Sequence, residues 1–176
     1  MALTEASIKN CKKDGELFDM LSEELQERLP AEDEGGDVDL LLKRIRGFPA
    51  GLRAMAATYQ LEMTMSQDDL GWFFAQWHHC GYCEETLWGL RELGAAEEAD
   101  IFAQAYAAAQ PHWDTVGKLI EQDFENFVEW YPASALQSAL RPLNERMWRV
   151  CEAGGNRIGL FRHWVSYARA NPGNVL

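Results

Sequence analysis

Residues 66–110, SQDDLGWFFAQWHHCGYCEETLWGLRELGAAEEADIFAQAYAAAQ, decide the fold class. Leu70, Phe73, Phe74 and Trp77 fall at i, i+3, i+4 and i+7, and Phe102, Ala105, Tyr106 and Ala109 repeat that spacing. Residues three and four apart share one face of a helix, so both runs predict amphipathic helices with a buried stripe. The same period continues outward. It runs through Leu52, Met55, Ala56, Tyr59 and Met63, through Val116, Leu119, Ile120, Phe124, Phe127, Val128 and Tyr131, and through Leu136, Leu140, Leu143 and Met147. Alternating apolar–polar strands are not evident, and no Asn-Gly or Asp-Gly turn joins two β-rich runs. The expectation is an all-α fold, an irregular multi-helix bundle of about eight or nine short helices.

Punctuation along the chain agrees. Ser66-Gln67-Asp68-Asp69 reads as a near capping box that opens a helix. Gly81 and Gly94 stand where helices are expected to end in a left-handed residue. Asp114, Ser134 and Asn156 are candidate N-caps, Pro111, Pro132 and Pro172 mark boundaries, and Gly154-Gly155 reads as a linker. The stretch PAEDEGG, Pro30–Gly36, reads as a flexible acidic loop after a helix near Glu16–Leu29. Residues 1–36 are therefore expected to form an acidic helical arm and loop, and residues 37–176 the helical core domain.

Of 176 residues, 47% are apolar, enough for a substantial single core. No apolar run approaches the roughly 20 residues of a membrane span. The N-terminus, MALTEASIKNCKKDGE, lacks the apolar middle of an export signal. A cytoplasmic protein with reduced thiols is expected. The net charge of −12 is uneven: residues 1–39 carry twelve acids against four bases, and residues 84–129 eleven against two. Residues 141–169 reverse this, with six arginines against two acids. Such a chain repels nucleic-acid phosphates and anionic membranes and attracts basic surfaces.

Trp77-His78-His79-Cys80-Gly81-Tyr82-Cys83 is the one reactive-looking cluster. A Cys-x-x-Cys pair at a helix N-terminus suits thiol redox chemistry, because the helix dipole favours thiolate. Against this, Leu70–Trp77 has a helical period where a thioredoxin fold needs a strand. Leu87 occupies the place of the histidine found four residues after the second cysteine in all-helical redox enzymes, and Glu84 and Glu85 disfavour a thiolate. His78, His79, Cys80 and Cys83 are also competent metal ligands, but Cys11, Cys151, His112 and His163 are isolated and supply no second pair. The third reading is structural: Cys83 packs inward with Leu87 and Leu90, and His78 and His79 cap a helix end. No phosphate-cradling glycine loop and no Gly-x-Ser-x-Gly elbow is present. No catalytic residue, cofactor or metal is expected.

Glu121, Glu125 and Glu129 are spaced i, i+4, i+8, which on one helix places carboxylates about 6 Å apart along a face. Only Lys118 lies nearby to offset them. Duplex DNA carries a charge about every 1.7 Å of axis, so a mimic of it must combine neighbouring helices.

Leu70–Gln110 also resembles a bacterial DNA-mimic protein family. Gly71-Trp72-Phe73-Phe74-Ala75-Gln76-Trp77 matches its glycine–aromatic part, Gly81-Tyr82-Cys83-Glu84-Glu85-Thr86-Leu87 its G-x-x-x-E part, and Leu90-Arg91-Glu92-Leu93-Gly94-Ala95 its Leu-Gly-Ala ending. The family's Asn-Gly-Gly is here Asp69-Leu70-Gly71, its Asn-Ser turn is His78-His79-Cys80, and Cys83 stands where alanine is frequent. The resemblance implies an all-helical acidic homodimer, non-enzymatic, that imitates duplex DNA and blocks a basic DNA-binding protein in transcription regulation. Glu84, Glu85, Glu92, Glu97, Glu98, Glu121, Glu125 and Glu129 are then the expected phosphate surrogates. Arg141, Arg146, Arg149, Arg157, Arg162 and Arg169 could pair with the acidic helices, lie at a dimer seam or interrupt the mimic surface.

Overall fold

A computed structural model describes residues 3–29, 37–152 and 159–176. Among these residues the chain is all-α, with eleven α-helices joined by short connections. They are α1 Glu5–Asn10, α2 Asp14–Arg28, α3 Val38–Ile45, α4 Ala50–Met65, α5 Leu70–Gln76, α6 Cys80–Glu92, α7 Ala96–Ala109, α8 Trp113–Gln122, α9 Phe124–Trp130, α10 Ala135–Glu152 and α11 Phe161–Ala170. The helix number exceeds the expected eight or nine, partly because the long stripe from Val116 to Tyr131 is cut at Asp123. That residue is extended and accepts the Glu125 N–H at 3.1 Å, so its carboxylate starts a new helix.

Small residues set the centre. Gly89 of α6 lies against the Ala54 carbonyl, Ala57 and Thr58, which lets α4 and α6 pack backbone to backbone. Phe73, Phe74, Phe102, Tyr82 and Trp113 interlock in stacked, tilted and edge-on pairs around this seam. On the other side Phe18, Phe161 and Trp164 form a second aromatic group that joins α2 to α11. Ile8, Leu17, Leu21 and Leu25 are buried in the same core, so α1 and α2 are packed against the bundle. The boundary expected at Pro30–Gly36, the Gly154-Gly155 linker and the Asn156 cap lie outside the described residues.

Several boundary readings shift. Ser66 closes α4, and Asp69, not Ser66, is the N-cap of α5, its Oδ1 accepting from Gly71 N and Trp72 N. Gly81 lies inside the first turn of α6. Asp114 sits in the first turn of α8. Ser134 caps α10 by accepting the Gln137 N–H at 3.0 Å. Gly94 ends α6 with φ of 74°, the conformation that favours glycine.

Candidate protein-interaction surface

His78 to Cys83 forms the start of α6. His79 is its N-cap: Nδ1 accepts the Tyr82 N–H at 3.2 Å, and Nε2 lies 3.3 Å from Asp39 Oδ1. His78 stacks on Trp113 with ring centroids 4.3 Å apart, and its Nε2 lies 3.0 Å from the Trp113 carbonyl oxygen. Both imidazoles are thus occupied in joining α6 to α3 and α8. Cys80 is exposed, whereas Cys83 is fully buried, and burial first, then the neighbouring Cys80 and Glu84, push its thiol well above the usual cysteine range. A thiol held protonated is a poor nucleophile, so the pair has no low-pKa member at Cys83 with which to begin thiol exchange. Among the described residues no group of three or more His, Cys, Asp or Glu side chains is placed to hold a metal ion. At pH 8 a thiol-specific reagent is expected to label Cys80 within minutes and Cys83 only at the rate of unfolding. Rapid labelling of both in the folded protein would restore the redox reading.

The eight expected phosphate surrogates do not form one surface. Glu85 is 2% exposed, and its two oxygens accept from Arg46 Nε at 2.7 Å and Arg53 Nε at 2.5 Å. Glu98 is equally buried and is shared between Arg162 and His163. These two carboxylates are internal anchors. They drop out of any exposed row because an uncompensated charge at such depth costs several kcal/mol, which the arginines remove. Glu92 is half-buried and accepts the Tyr167 hydroxyl at 2.6 Å. Glu97 is exposed but lines a cleft with Arg146, Arg149 and Arg162, a surface of mixed sign.

Glu84, Glu121, Glu125 and Glu129 remain exposed, with no ion pair among the described residues. The single-helix geometry expected for the last three is corrected by the break at Asp123: Glu121 lies in the last turn of α8, while Glu125 and Glu129 ride on α9. With Asp114 and Asp123, also exposed, the α8–α9 hairpin presents five carboxylates against Lys118 alone.

One row went unread in the sequence. Asp19, Glu23 and Glu27 have the i, i+4, i+8 spacing on the unbroken α2, all exposed and without an ion pair among the described residues. The spacing rule applied to Glu121–Glu129 would have found them. The neighbouring acids are neutralised: Asp14 by Arg169 at 2.6 Å, Glu16 by Lys13 and Glu24 by Arg28. Of the C-terminal arginines, Arg162 and Arg169 pair with carboxylates, those of Glu98 and Asp14, while rows of acids without an ion pair among the described residues stand on α2 and on α8–α9. These helices rest on different neighbours, α2 on α4 and α11, the hairpin on α5 and the Tyr131–Ala133 turn.

Among the described residues no helix is long and apolar enough to cross a membrane. No curated protein and no solved structure shows significant similarity to the chain. The family described as DMP19-like protein matches residues 46–171, from the first residue after α3 through the whole of α11. This span reaches well beyond Leu70–Gln110 in both directions and leaves α1, α2 and α3 outside. A match over most of the chain, on a fold whose Asp69–Gly71 and Leu93–Ala95 segments carry the motif described above, places the chain in the DMP19-like protein family, the DNA-mimic protein family which that motif resembles.

Proposed function

We propose that the chain is a non-enzymatic acidic interaction protein that imitates duplex DNA and occupies the groove-binding face of a basic DNA-binding protein, excluding DNA by competition. The observation that carries this reading is the carboxylate set of α8–α9, exposed and without an ion pair among the described residues, on a member of the DMP19-like protein family. Glu121, Glu125 and Glu129, supported by Glu84, Asp114 and Asp123, act as phosphate surrogates. Asp19, Glu23 and Glu27 offer a second row at about 6 Å steps. The mechanism is electrostatic: a basic groove is attracted from a distance, and exposed pairs are screened over about 10 Å at 0.1 M salt. A homodimer, a cytoplasmic location and a role in transcription regulation belong to the same reading, and sedimentation equilibrium tests the first of them.

The test is displacement of labelled duplex DNA from a basic DNA-binding protein, followed by anisotropy at low and high salt. Wild-type chain is expected to displace the DNA at low salt and to lose potency steeply as salt rises. Changing Glu121, Glu125 and Glu129 together to Gln removes three exposed pairs worth about 0.2–1 kcal/mol each, so potency should fall on the order of tenfold. Unchanged displacement by the triple variant would take these residues out of the site. The corresponding change of Asp19, Glu23 and Glu27 separates the two rows.

A further inference from the structure

Trp148 of α10 is one of two large apolar side chains that stand exposed among the described residues, at 38%. Its indole N–H donates to the Met65 carbonyl at 3.2 Å, which ties the ring to the C-terminal end of α4. Between these helices lies a cleft of about 710 Å³. Three carboxylates, Glu62, Asp68 and Glu152, line it together with Trp148 and Met65, and no basic side chain among the described residues does.

Glu62 is the telling member. It is nine-tenths buried, and only Oε2 is bonded, accepting the Leu160 N–H at 2.6 Å. Oε1 accepts no hydrogen bond among the described residues. Arg162 lies near enough to be felt, but its guanidinium is committed to Glu98 and to the carbonyls of Cys151 and Gly159. The last turn of the 16-residue α4 adds the negative end of its dipole. An aromatic face, three carboxylates and a helix C-terminus all favour a cation.

The chain already contains the corresponding arrangement at a half-buried site. The Arg53 guanidinium lies 3.8 Å from the Trp88 ring centroid while its Nε donates to Glu85 at 2.5 Å. A planar guanidinium stacks flat on indole and meets a carboxylate with two parallel N–H donors, a geometry that the compact ammonium lacks. We infer that the Trp148 cleft receives an arginine side chain of the protein partner, stacked on the indole and paired with Asp68, Glu152 and Glu62. This rests on the proposed binding of a basic protein and adds an anchor apart from the exposed carboxylate rows.

The experiment reads the indole N–H resonance of Trp148 in the full chain, assigned by its loss in Trp148→Phe. Nα-acetyl-arginine amide is titrated against the neutral isostere Nα-acetyl-citrulline amide. A saturable shift with arginine and none with citrulline is expected. The Asp68→Asn, Glu152→Gln double variant should weaken it about fivefold or more, and Trp148→Ala should weaken an arginine-rich peptide similarly. No saturable shift, or equal shifts with both amides, overturns the proposal. Failure of DNA displacement with the arginine response intact sinks the DNA-mimic reading and leaves the cleft as an arginine receptor. Displacement without an arginine response sinks the cleft alone.

Discussion

Gly71→Ala is expected to destabilise the fold by about 2–3 kcal/mol, read as a lower urea midpoint with an unchanged slope. On helix propensity alone the change should help, since alanine is favoured over glycine inside a helix by about 0.5–1 kcal/mol. Tertiary contact reverses the sign. A β-carbon at Gly71 would lie 2.2 Å from Cζ and the hydroxyl oxygen of Tyr131, a backbone-fixed clash with a buried ring. Displacing that ring also breaks a knot. The Tyr131 hydroxyl donates to Asp69 at 2.9 Å, Asn144 Nδ2 donates to Asp69 Oδ2 at 3.0 Å, and the Leu70 N–H donates to Asn144 Oδ1 at 3.2 Å. Burial, then the charge of Asp69, hold the hydroxyl above the usual tyrosine range, so it remains a donor at all ordinary pH values. Gly15→Ala is the control of opposite sign. Nothing lies within 4 Å of its β-carbon position in α2, so the substitution should raise stability by about 0.5–1 kcal/mol. If both variants shift the midpoint in the same direction, Tyr131 does not occupy the space over Gly71.

Glu98→Ala is expected to cost about 2–4 kcal/mol at pH 7, because it leaves Arg162 and His163 facing each other without their shared carboxylate. Burial disfavours the Glu98 carboxylate. The hydrogen bond with His163, its own backbone N–H and the electrostatic pull of His163 and Arg162 outweigh that, so its pKa lies below the ordinary 4.5. A lowered carboxyl contributes stability that is present above 4.5 and lost as pH falls through the folded value. The difference between wild type and Glu98→Ala should therefore narrow in acid. Glu62 carries the opposite sign. Burial raises its pKa, against the Leu160 N–H and Arg162, so its contribution is fullest below 4.5 and is lost as pH rises through the folded value. Glu62→Gln, which keeps the shape and the acceptor for Leu160, should raise the urea midpoint at pH 7. A Glu98→Ala deficit that stays constant from pH 7 into acid would show that no folded-state charge is stabilised there.

The helical period of Leu70–Trp77 and Phe102–Ala109 was legible because each stripe needs only its own sequence to define a face. Gly94 was legible for the same reason, as a local stop. The caps at Asp69 and Asp123 went unread and Gly81 was misplaced, because capping depends on which carboxylate or ring reaches which N–H, and several neighbours were competent. The acids were the least legible. Glu84 and Glu85 are adjacent in sequence, yet one faces solvent and the other is buried between Arg46 and Arg53 from 39 and 32 positions earlier. No spacing rule within α6 reports such partners.

The order of residues alone therefore determined the all-α class, the family motif and the acidic excess, since periodicity, local glycines and formal charge are properties of neighbours along the chain. The tertiary structure decided which carboxylates are anchors and which remain open. Burial and ion pairing depend on groups brought together from distant positions, and at about 6 Å steps a charge matters to a partner only when no arginine has already neutralised it.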